Sequence, residues 1–334
     1  MSPPLSSSPS PDFTVAICTY NGETRLPEVL DALQQQEGTE DIAWEVLVVD
    51  NNSDDGTPDV VNQYRVNQYR ETWPRLRYVR ELKQGTAYAR QRAIAEAQSP
   101  DLVGFLDDDN IPASDWVRQA YEFGCQHPKI GAYGGNIRAK LDIEPPEYFD
   151  RIKILLAVYD RGDKPFCYAR DRKPRIVPAA PGSVVRKQAW RDCVPPRLLL
   201  QGRDEKNCTY IGACEDLETL FYIQNSSWQI WHNPQMTVFH HIPPHRLQRK
   251  YLLKIARTSG LSNHALRTAR LFPKRRFLMF FLMPIYLLSD GLKAIVFWFK
   301  YRKEIQNNFE KDIPKACEFQ SRIGRFLSPF FVRL

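Results

Sequence analysis

The run Leu102-Val103-Gly104-Phe105-Leu106 is apolar throughout and passes without a break into Asp107-Asp108-Asp109-Asn110. A short apolar run closed by turn residues reads as a strand buried on both faces. Such a strand needs covering layers on both sides of its sheet, while its acidic end must open on solvent or on a ligand. The same grammar occurs upstream. Residues 13–18 end in Thr19-Tyr20-Asn21-Gly22, residues 44–49 end in Asp50-Asn51-Asn52, and residues 76–79 form a shorter third run.

Helical patterns separate these runs. Leu26, Val29, Leu30 and Leu33 share one face of a segment at 26–36, residues 59–70 continue the alternation, and an Ala-rich helix at 86–97 is entered through Gly85. Strands alternating with helices predict an α/β fold with a mostly parallel sheet and helices on both faces. In such sheets ligands bind at the carboxyl ends of the strands, near a switch in strand order, which is where the acidic and turn residues fall. Beyond Gly131 the pattern mixes, with strands expected at 132–137, 177–185, 228–231 and 237–241 and a helix at 215–223. The pentapeptide Val61–Arg65 repeats as Val66–Arg70; five does not match the helical period, so it reads as a surface insertion without function.

Three regions follow: a Ser/Pro-rich tail at 1–11, a catalytic domain at 12–245 closed by Pro243-Pro244, and a basic helical region at 246–334. The tail lacks the apolar run of a signal peptide and reads as disordered. Seven cysteines, an odd number without a CxxC pair, point to reduced thiols in the cytoplasm and give no zinc pattern. The net charge of +7 suits an anionic partner such as a sugar nucleotide, a lipid phosphate or an acidic membrane, or simply a solvated basic face. The basic residues gather beside an apolar segment and no DNA- or RNA-binding motif is present, so nucleic acid is not expected.

Three adjacent carboxylates repel one another unless cations or solvent compensate. At a strand end, Asp107-Asp108-Asp109 can hold Mg²⁺ or Mn²⁺ through oxygen ligands; a solvated acidic turn is the plainer reading. Asp50 ends another strand, where it can accept a hydrogen bond from a base or ribose. Glu215-Asp216 opens a helix, where the helix dipole alone accounts for two carboxylates. His240-His241 closes a strand, and a neutral imidazole there could complete a metal shell, or sit at the surface.

Five segments occur in a telling order: VAICTYNG (residues 15–22), EVLVVDNNSDDGT (45–57), GTAYARQRAIAEA (85–97), FLDDDN (105–110) and CEDLE (214–218). Their order and spacing resemble family 2 glycosyltransferases, over roughly residues 13–242. The chain also resembles, more narrowly, cyanobacterial enzymes of exopolysaccharide synthesis such as those of the hormogonium polysaccharide. The resemblance implies a GT-A, Rossmann-like nucleotide-diphospho-sugar transferase fold with a helical, apolar C-terminal extension. It implies that Tyr20 stacks on the nucleotide base, that Asp50 hydrogen-bonds it, and that Arg90 lies near the nucleotide. Asp107 and Asp108 then fall near the ribose and metal, Asp109 is a direct ligand of Mn²⁺ or Mg²⁺, and His240 reaches the metal, with His241 as the alternative.

By the same resemblance Glu215-Asp216 is the catalytic pair, with Asp216 as the base. It removes the acceptor hydroxyl proton during an inverting transfer of one sugar, from a UDP-sugar by preference, to a glycan or lipid-linked acceptor in polysaccharide biosynthesis. Departures are visible. Gln91 stands for the customary Asn, Cys214 for the Gly that often precedes the acidic pair, and Pro181-Gly182-Ser183 for the acceptor loop; no QxxRW follows, which fits single-sugar transfer. Arg246, Arg249 and Lys250 can meet the diphosphate or form a solvated face. A metal-dependent nucleotidyltransferase and a non-catalytic carbohydrate- or lipid-binding module are the competing classes. The first needs a Gly-rich basic phosphate loop that Thr19-Tyr20-Asn21-Gly22 does not supply, and the second has little use for both acidic motifs.

Residues 277–288 are almost wholly apolar, and 294–299 resume after Ser289-Asp290-Gly291 and Lys293. Basic residues flank this segment at Lys274, Arg275, Arg276, Lys300, Arg302 and Lys303, as suits an anionic leaflet. The expectation is an enzyme peripheral on the cytoplasmic face of a membrane, with 274–303 lying in the interface. A true span and a soluble packing helix remain the alternatives.

Overall fold

A computed structural model describes residues 10–66, 75–172, 174–202, 213–271, 275–307 and 309–331. Residues 1–9 of the tail expected at 1–11, and the second copy of the duplicated pentapeptide beyond Val66, lie outside the described residues. Four parallel strands carry the N-terminal half: β1 (Phe13–Thr19), β2 (Trp44–Asp50), β3 (Arg75–Arg80) and β4 (Leu102–Asp107). They lie in the order β3-β2-β1-β4, so the strand order switches between β1 and its neighbours.

Crossover helices join them, as parallel strands require: α1 (Leu26–Gln34), α2 (Thr57–Val66) and α3 (Thr86–Glu96). Successive strand residues point to opposite faces, and the core divides accordingly. Val15, Ile17, Val46 and Val48 pack under α1 and α2 with Leu26, Leu30 and Val61. Ala16, Cys18, Leu47 and Val49 pack under α3 with Ala89, Ala93 and Ile94.

After β4 the sheet ceases to be mostly parallel. β5 (Asn110–Pro112), α4 (Trp116–Gln126), β6 (Ile130–Leu141), α5 (Phe149–Ile152), β7 (Phe166–Cys167), β8 (Ser183–Arg186), α6 (Lys187–Cys193), α7 (Glu215–Gln224) and β9 (Gln229–Ile242) follow. Beyond β4 the order is β8-β6-β9-β5, and β8 runs antiparallel to both β4 and β6. The strand expected at 177–185 shrinks to β8, because Pro178 and Pro181 lack ladder donors and Gly182 has φ +69°. The two strands expected at 228–231 and 237–241 are one continuous β9, whose irregularity is absorbed by register shifts against β6.

The C-terminal region is built onto this body. It comprises α8 (Arg249–Leu261), α9 (Asn263–Leu271), α10 (Leu278–Gln306) and α11 (Ile313–Phe331). Ile242 of β9 and Tyr148, Ile152 and Leu156 share one core with Leu252, Ala256, Ile313 and Cys317. Residues on both sides of the boundary expected at 245 therefore share one packed cluster. α8 and α11 cross closely at two glycines: a Cβ on Gly260 would lie 2.3 Å from the Ser321 carbonyl oxygen and 2.9 Å from the Gly324 Cα.

Candidate functional site

A cleft of about 360 Å³ opens at the carboxyl ends of β1 and β4, beside the switch in strand order. Its walls include Tyr20, Arg25, Arg90, Asp107, Asp108, Asp109, Glu215, Asp216, His240 and Arg246, with Ile255 and Ser259 from α8. The N-terminal strands, α7, β9 and the C-terminal helices thus all contribute to it.

The three adjacent aspartates do not form a solvated turn. Asn110 folds the corner: its Oδ1 accepts from the Asp107 N–H at 3.1 Å, and its Nδ2 donates to Asp109 Oδ1 at 3.0 Å. The carboxylates then diverge to three different cations. Arg90 approaches Asp107 at 3.3 Å, Arg25 grips Asp108 with two bonds of 2.9 Å, and Arg246 reaches Asp109 at 2.8 Å. A cation beside each carboxylate offsets the mutual repulsion that makes a triple Asp costly.

Asp108 also accepts from the Thr19 hydroxyl at 2.6 Å, and its side chain is only 10 % exposed. Both oxygens thus brace the corner to β1 and Arg25, at the edge of the cleft that Asp108 lines. Asp50 lies deeper. It is fully buried, its Oδ2 accepting from the Tyr78 hydroxyl at 2.6 Å and its Oδ1 from the Ser53 N–H at 2.9 Å. Among the described residues it is not part of the cleft wall. Its neighbour Asn51 does line the cleft, held by the Gly85 N–H and the Lys83 carbonyl.

Asp109 and His240 meet because β5 pairs antiparallel with β9, setting Asn110 opposite His240. The His241 N–H donates to the Asp109 carbonyl at 2.9 Å, locking that register. Alternation along β9 then decides between the two histidines. His240 Nε2 lies 3.5 Å from Asp109 Oδ2, whereas His241 turns to Asp142 at 2.8 Å and away from the cleft. The His240 Nδ1–H donates to the Leu156 carbonyl at 2.8 Å, which leaves Nε2 as the acceptor nitrogen, and Arg246 donates to it at 2.9 Å. Burial would raise the pKa of Asp109, but the Arg246 guanidinium, joined by His240 whenever that ring takes a second proton, holds it well below the usual carboxylate range.

Across the cleft, α7 begins at Glu215 behind Cys214, whose φ of +73° is left-handed. Glu215 is buried and its pKa is pushed up to about 7, first by desolvation, against the lowering effect of Arg90 at 3.6 Å. Asp216 is half-buried on the cleft wall and accepts from the Ala180 N–H at 3.3 Å. Ala179, Ala180 and Pro181 line the cleft beside it. Arg90 spans the floor from Asp107 to Glu215 and so ties the β4 corner to the start of α7. Of the three C-terminal cations named from sequence, Arg246 enters the cleft, Arg249 donates to the Ile305 carbonyl, and Lys250 is exposed outside it. The sequence reading did not single out Arg25; a cation one helical turn beyond the β1 turn was its only signal.

Comparison with known proteins agrees with this geometry. Residues 14–190 match the model of glycosyl transferase family 2. The chain is 30% identical to the glycosyltransferase AglE of Haloferax volcanii over 131 residues, covering 39% of this chain and 41% of that protein. It is also 30% identical to the putative teichuronic acid biosynthesis glycosyltransferase TuaG of Bacillus subtilis over 139 residues, 42% of this chain and 52% of that protein. These matches span about half or less of the relatives' lengths. Among solved structures, the mannosyltransferase PcManGT of Pyrobaculum calidifontis, in complex with GDP-Man and Mn²⁺, superposes with a TM-score of 0.55 at 17% identity, covering 97% of this chain and 90% of that one. TarS 1–349 of S. aureus gives a TM-score of 0.51 at 16% identity, covering 95% and 91%. The fold is of the GT-A type.

Proposed function

The chain belongs to glycosyl transferase family 2, and on that premise we propose that its cleft transfers one sugar from a nucleoside-diphosphate donor to a hydroxyl of a glycan or lipid-linked acceptor, with inversion. One observation carries the reading: a carboxylate suited to act as base, Asp216, and a cation-binding pair, Asp109 with His240, face the same cleft. Asp216 is the general base. Among the described residues its Oδ1 has no hydrogen bond, so that oxygen is available to an acceptor hydroxyl. Glu215 assists from behind by holding Arg90 toward the aspartate corner. Tyr20 offers its ring to the base, while Arg90 and Asp107 bound the nucleotide side of the cleft.

The donor set fits a divalent ion of the Mn²⁺ or Mg²⁺ type. Asp109 supplies a carboxylate oxygen and His240 a neutral imidazole nitrogen, and a guanidinium already bridges them as a cation would. Among the described residues no group of three acidic, His or Cys side chains converges, so diphosphate oxygens and water would complete the shell. Bound there, such an ion supplies positive charge to the departing diphosphate. Mn²⁺ is present in the PcManGT complex with GDP-Man and in the GalNAc-T7 complex with UDP and GalNAc.

We further propose that the enzyme works at the cytoplasmic face of a membrane, docked through α10 and serving polysaccharide synthesis. Phe281, Ile285, Leu288, Leu292, Ile295 and Phe299 recur every three or four residues and are all more than half exposed, forming one apolar stripe. The helix is long and apolar enough to cross a membrane. Its opposite side, with Asp290, Ala294 and Phe297, is buried against the protein. A span would carry Asp290 and its bound Arg267 into the hydrocarbon, so a helix lying in the interface fits better.

The test is sugar-nucleotide hydrolysis and transfer across UDP- and GDP-sugars with Mn²⁺, Mg²⁺ or chelator, for wild type, Asp109→Ala and Asp216→Asn. Metal-dependent use of one donor is expected, lost in Asp109→Ala. For Asp216→Asn, kcat should fall by about 10²–10⁴-fold with donor binding intact. Full turnover in Asp216→Asn would remove that residue from the role of base.

A further inference from the structure

We propose that Arg246 is a built-in counter-cation for the Asp109–His240 pair, competing with a divalent ion for the same two atoms and withdrawing when the ion enters. The proposal rests on the reading of that pair as the metal ligands. One guanidinium nitrogen of Arg246 lies 2.8 Å from Asp109 Oδ2 and 2.9 Å from His240 Nε2, while these two acceptors are 3.5 Å apart. It therefore caps the edge that the ion needs.

His240 Nε2 has no capacity for both cations, and Asp109 Oδ2 would have to be shared between two positive charges. His240 commits Nδ1–H to the Leu156 carbonyl, so Nε2 has one lone pair to give. Asp109 commits Oδ1 to Asn110, leaving Oδ2 to face the cleft and Arg246. The Asp109 and His240 side chains are only 11 % and 10 % exposed, and a carboxylate so buried is costly without a cation. Arg246 meets that need before any ligand arrives.

Of the three cleft arginines, Arg246 is the one held by the two atoms that the ion would take. Arg90 is shared between Asp107 and Glu215, and Arg25 is bound through two bonds to Asp108 and a third to the Tyr20 carbonyl. Arg246 rises from the short turn Pro244–Leu247 and lines the cleft itself. Side-chain rotation alone carries its guanidinium off the pair and into the cleft, where a diphosphate is the natural acceptor. The ion and the donor then assist each other's binding, because the donor holds the arginine that the ion displaces.

Mn²⁺ binding without nucleotide, read from the loss of the free-ion electron paramagnetic resonance signal, tests this in wild type, Arg246→Gln, Arg246→Met, Lys250→Met and Asp109→Asn. The Arg246 variants should bind Mn²⁺ at least about tenfold more tightly than wild type, as expected for removal of charge-assisted bonds. Gln keeps one neutral hydrogen bond to Asp109 and guards against misfolding of the Met variant; in both, Mn²⁺ should raise Tm more than in wild type. Lys250→Met, which removes an exposed cation on the same segment, should not change affinity. Equal or weaker binding in both Arg246 variants, with binding lost in Asp109→Asn, overturns the competition while leaving the metal pair standing. An equal gain in Lys250→Met assigns the effect to bulk charge and also overturns it. Undiminished binding in Asp109→Asn overturns the metal pair and the competition together.

Discussion

Arg267 donates to Asp290 through both of its terminal nitrogens, at 2.6 and 3.1 Å, fastening the most apolar helix of the chain to α9. The Asp290 side chain is 7 % exposed, and the Arg267 guanidinium also lies over the Tyr286 ring at 4.1 Å. A charge that looks like an interruption of a hydrophobic segment is therefore the inner clamp of α10. Asp290→Ala leaves the half-buried arginine without its carboxylate and should cost about 1–3 kcal/mol. Chemical denaturation measures this, and limited proteolysis should find α10 cut first; an unchanged midpoint would deny the clamp.

The outer face of α10 makes a separate prediction. Phe281 and Leu288 are 65% and 67% exposed on the apolar stripe, so Phe281→Ser with Leu288→Ser should leave folding intact. Each buried apolar side chain contributes about 1.5–3 kcal/mol to leaving water. The pair should therefore weaken binding to anionic phospholipid vesicles by on the order of 10²-fold in a flotation assay. Equal flotation of variant and wild type would exclude this stripe as the contact.

Glu215 makes a prediction in pH. Its pKa in the folded protein is raised to about 7 from 4.5, so the folded state keeps a proton that the unfolded chain releases between these values. Its contribution to stability is then fully present below pH 4.5 and is lost as pH rises through about 7. Glu215→Gln does not titrate and should match wild type near pH 4.5. By pH 8 it should exceed wild type by on the order of 1–3 kcal/mol, measured as the difference in unfolding free energy. Parallel stability curves across this range would contradict the assignment.

Cys214 holds a left-handed conformation that a Cβ disfavours, with φ +73° and ψ 28°. Relief of roughly 1–2 kcal/mol of strain in Cys214→Gly is partly offset by the greater freedom of the unfolded chain, for a net gain of about 0.5–1 kcal/mol. Cys214→Val, β-branched, should lose more than about 1 kcal/mol. Thermal unfolding of the two variants should give shifts of opposite sign; a stable Val variant would show that the turn relaxes.

Local pattern was enough for much of this molecule. Burial on both faces forces continuous apolar runs, so β1, β2 and β4 could be read directly, and so could the turns that end them. The acidic residues at those ends and at the start of α7 were legible for the same reason, since few positions in an α/β sheet tolerate clustered carboxylates. The mixed half was not legible. β8 and β9 take their direction and register from neighbours distant in sequence, and α4 and α6 fill the faces that this arrangement leaves open.

The partners of the site residues were decided in three dimensions. His240 and His241 are equivalent in sequence, and only the pairing of Asn110 with His240 turns one of them to Asp109. Asp50 and Asp108 carry the same chemistry as Asp109, yet Tyr78 with Ser53 and Arg25 with Thr19 take up their oxygens. Arg246 belongs to the site only because β9 and the turn after it fold back over β5. Hydrophobic periodicity is a property of neighbouring residues and can be read from the chain, whereas the match of one charge to another depends on which strands lie side by side, and that is set by the packing of the whole sheet.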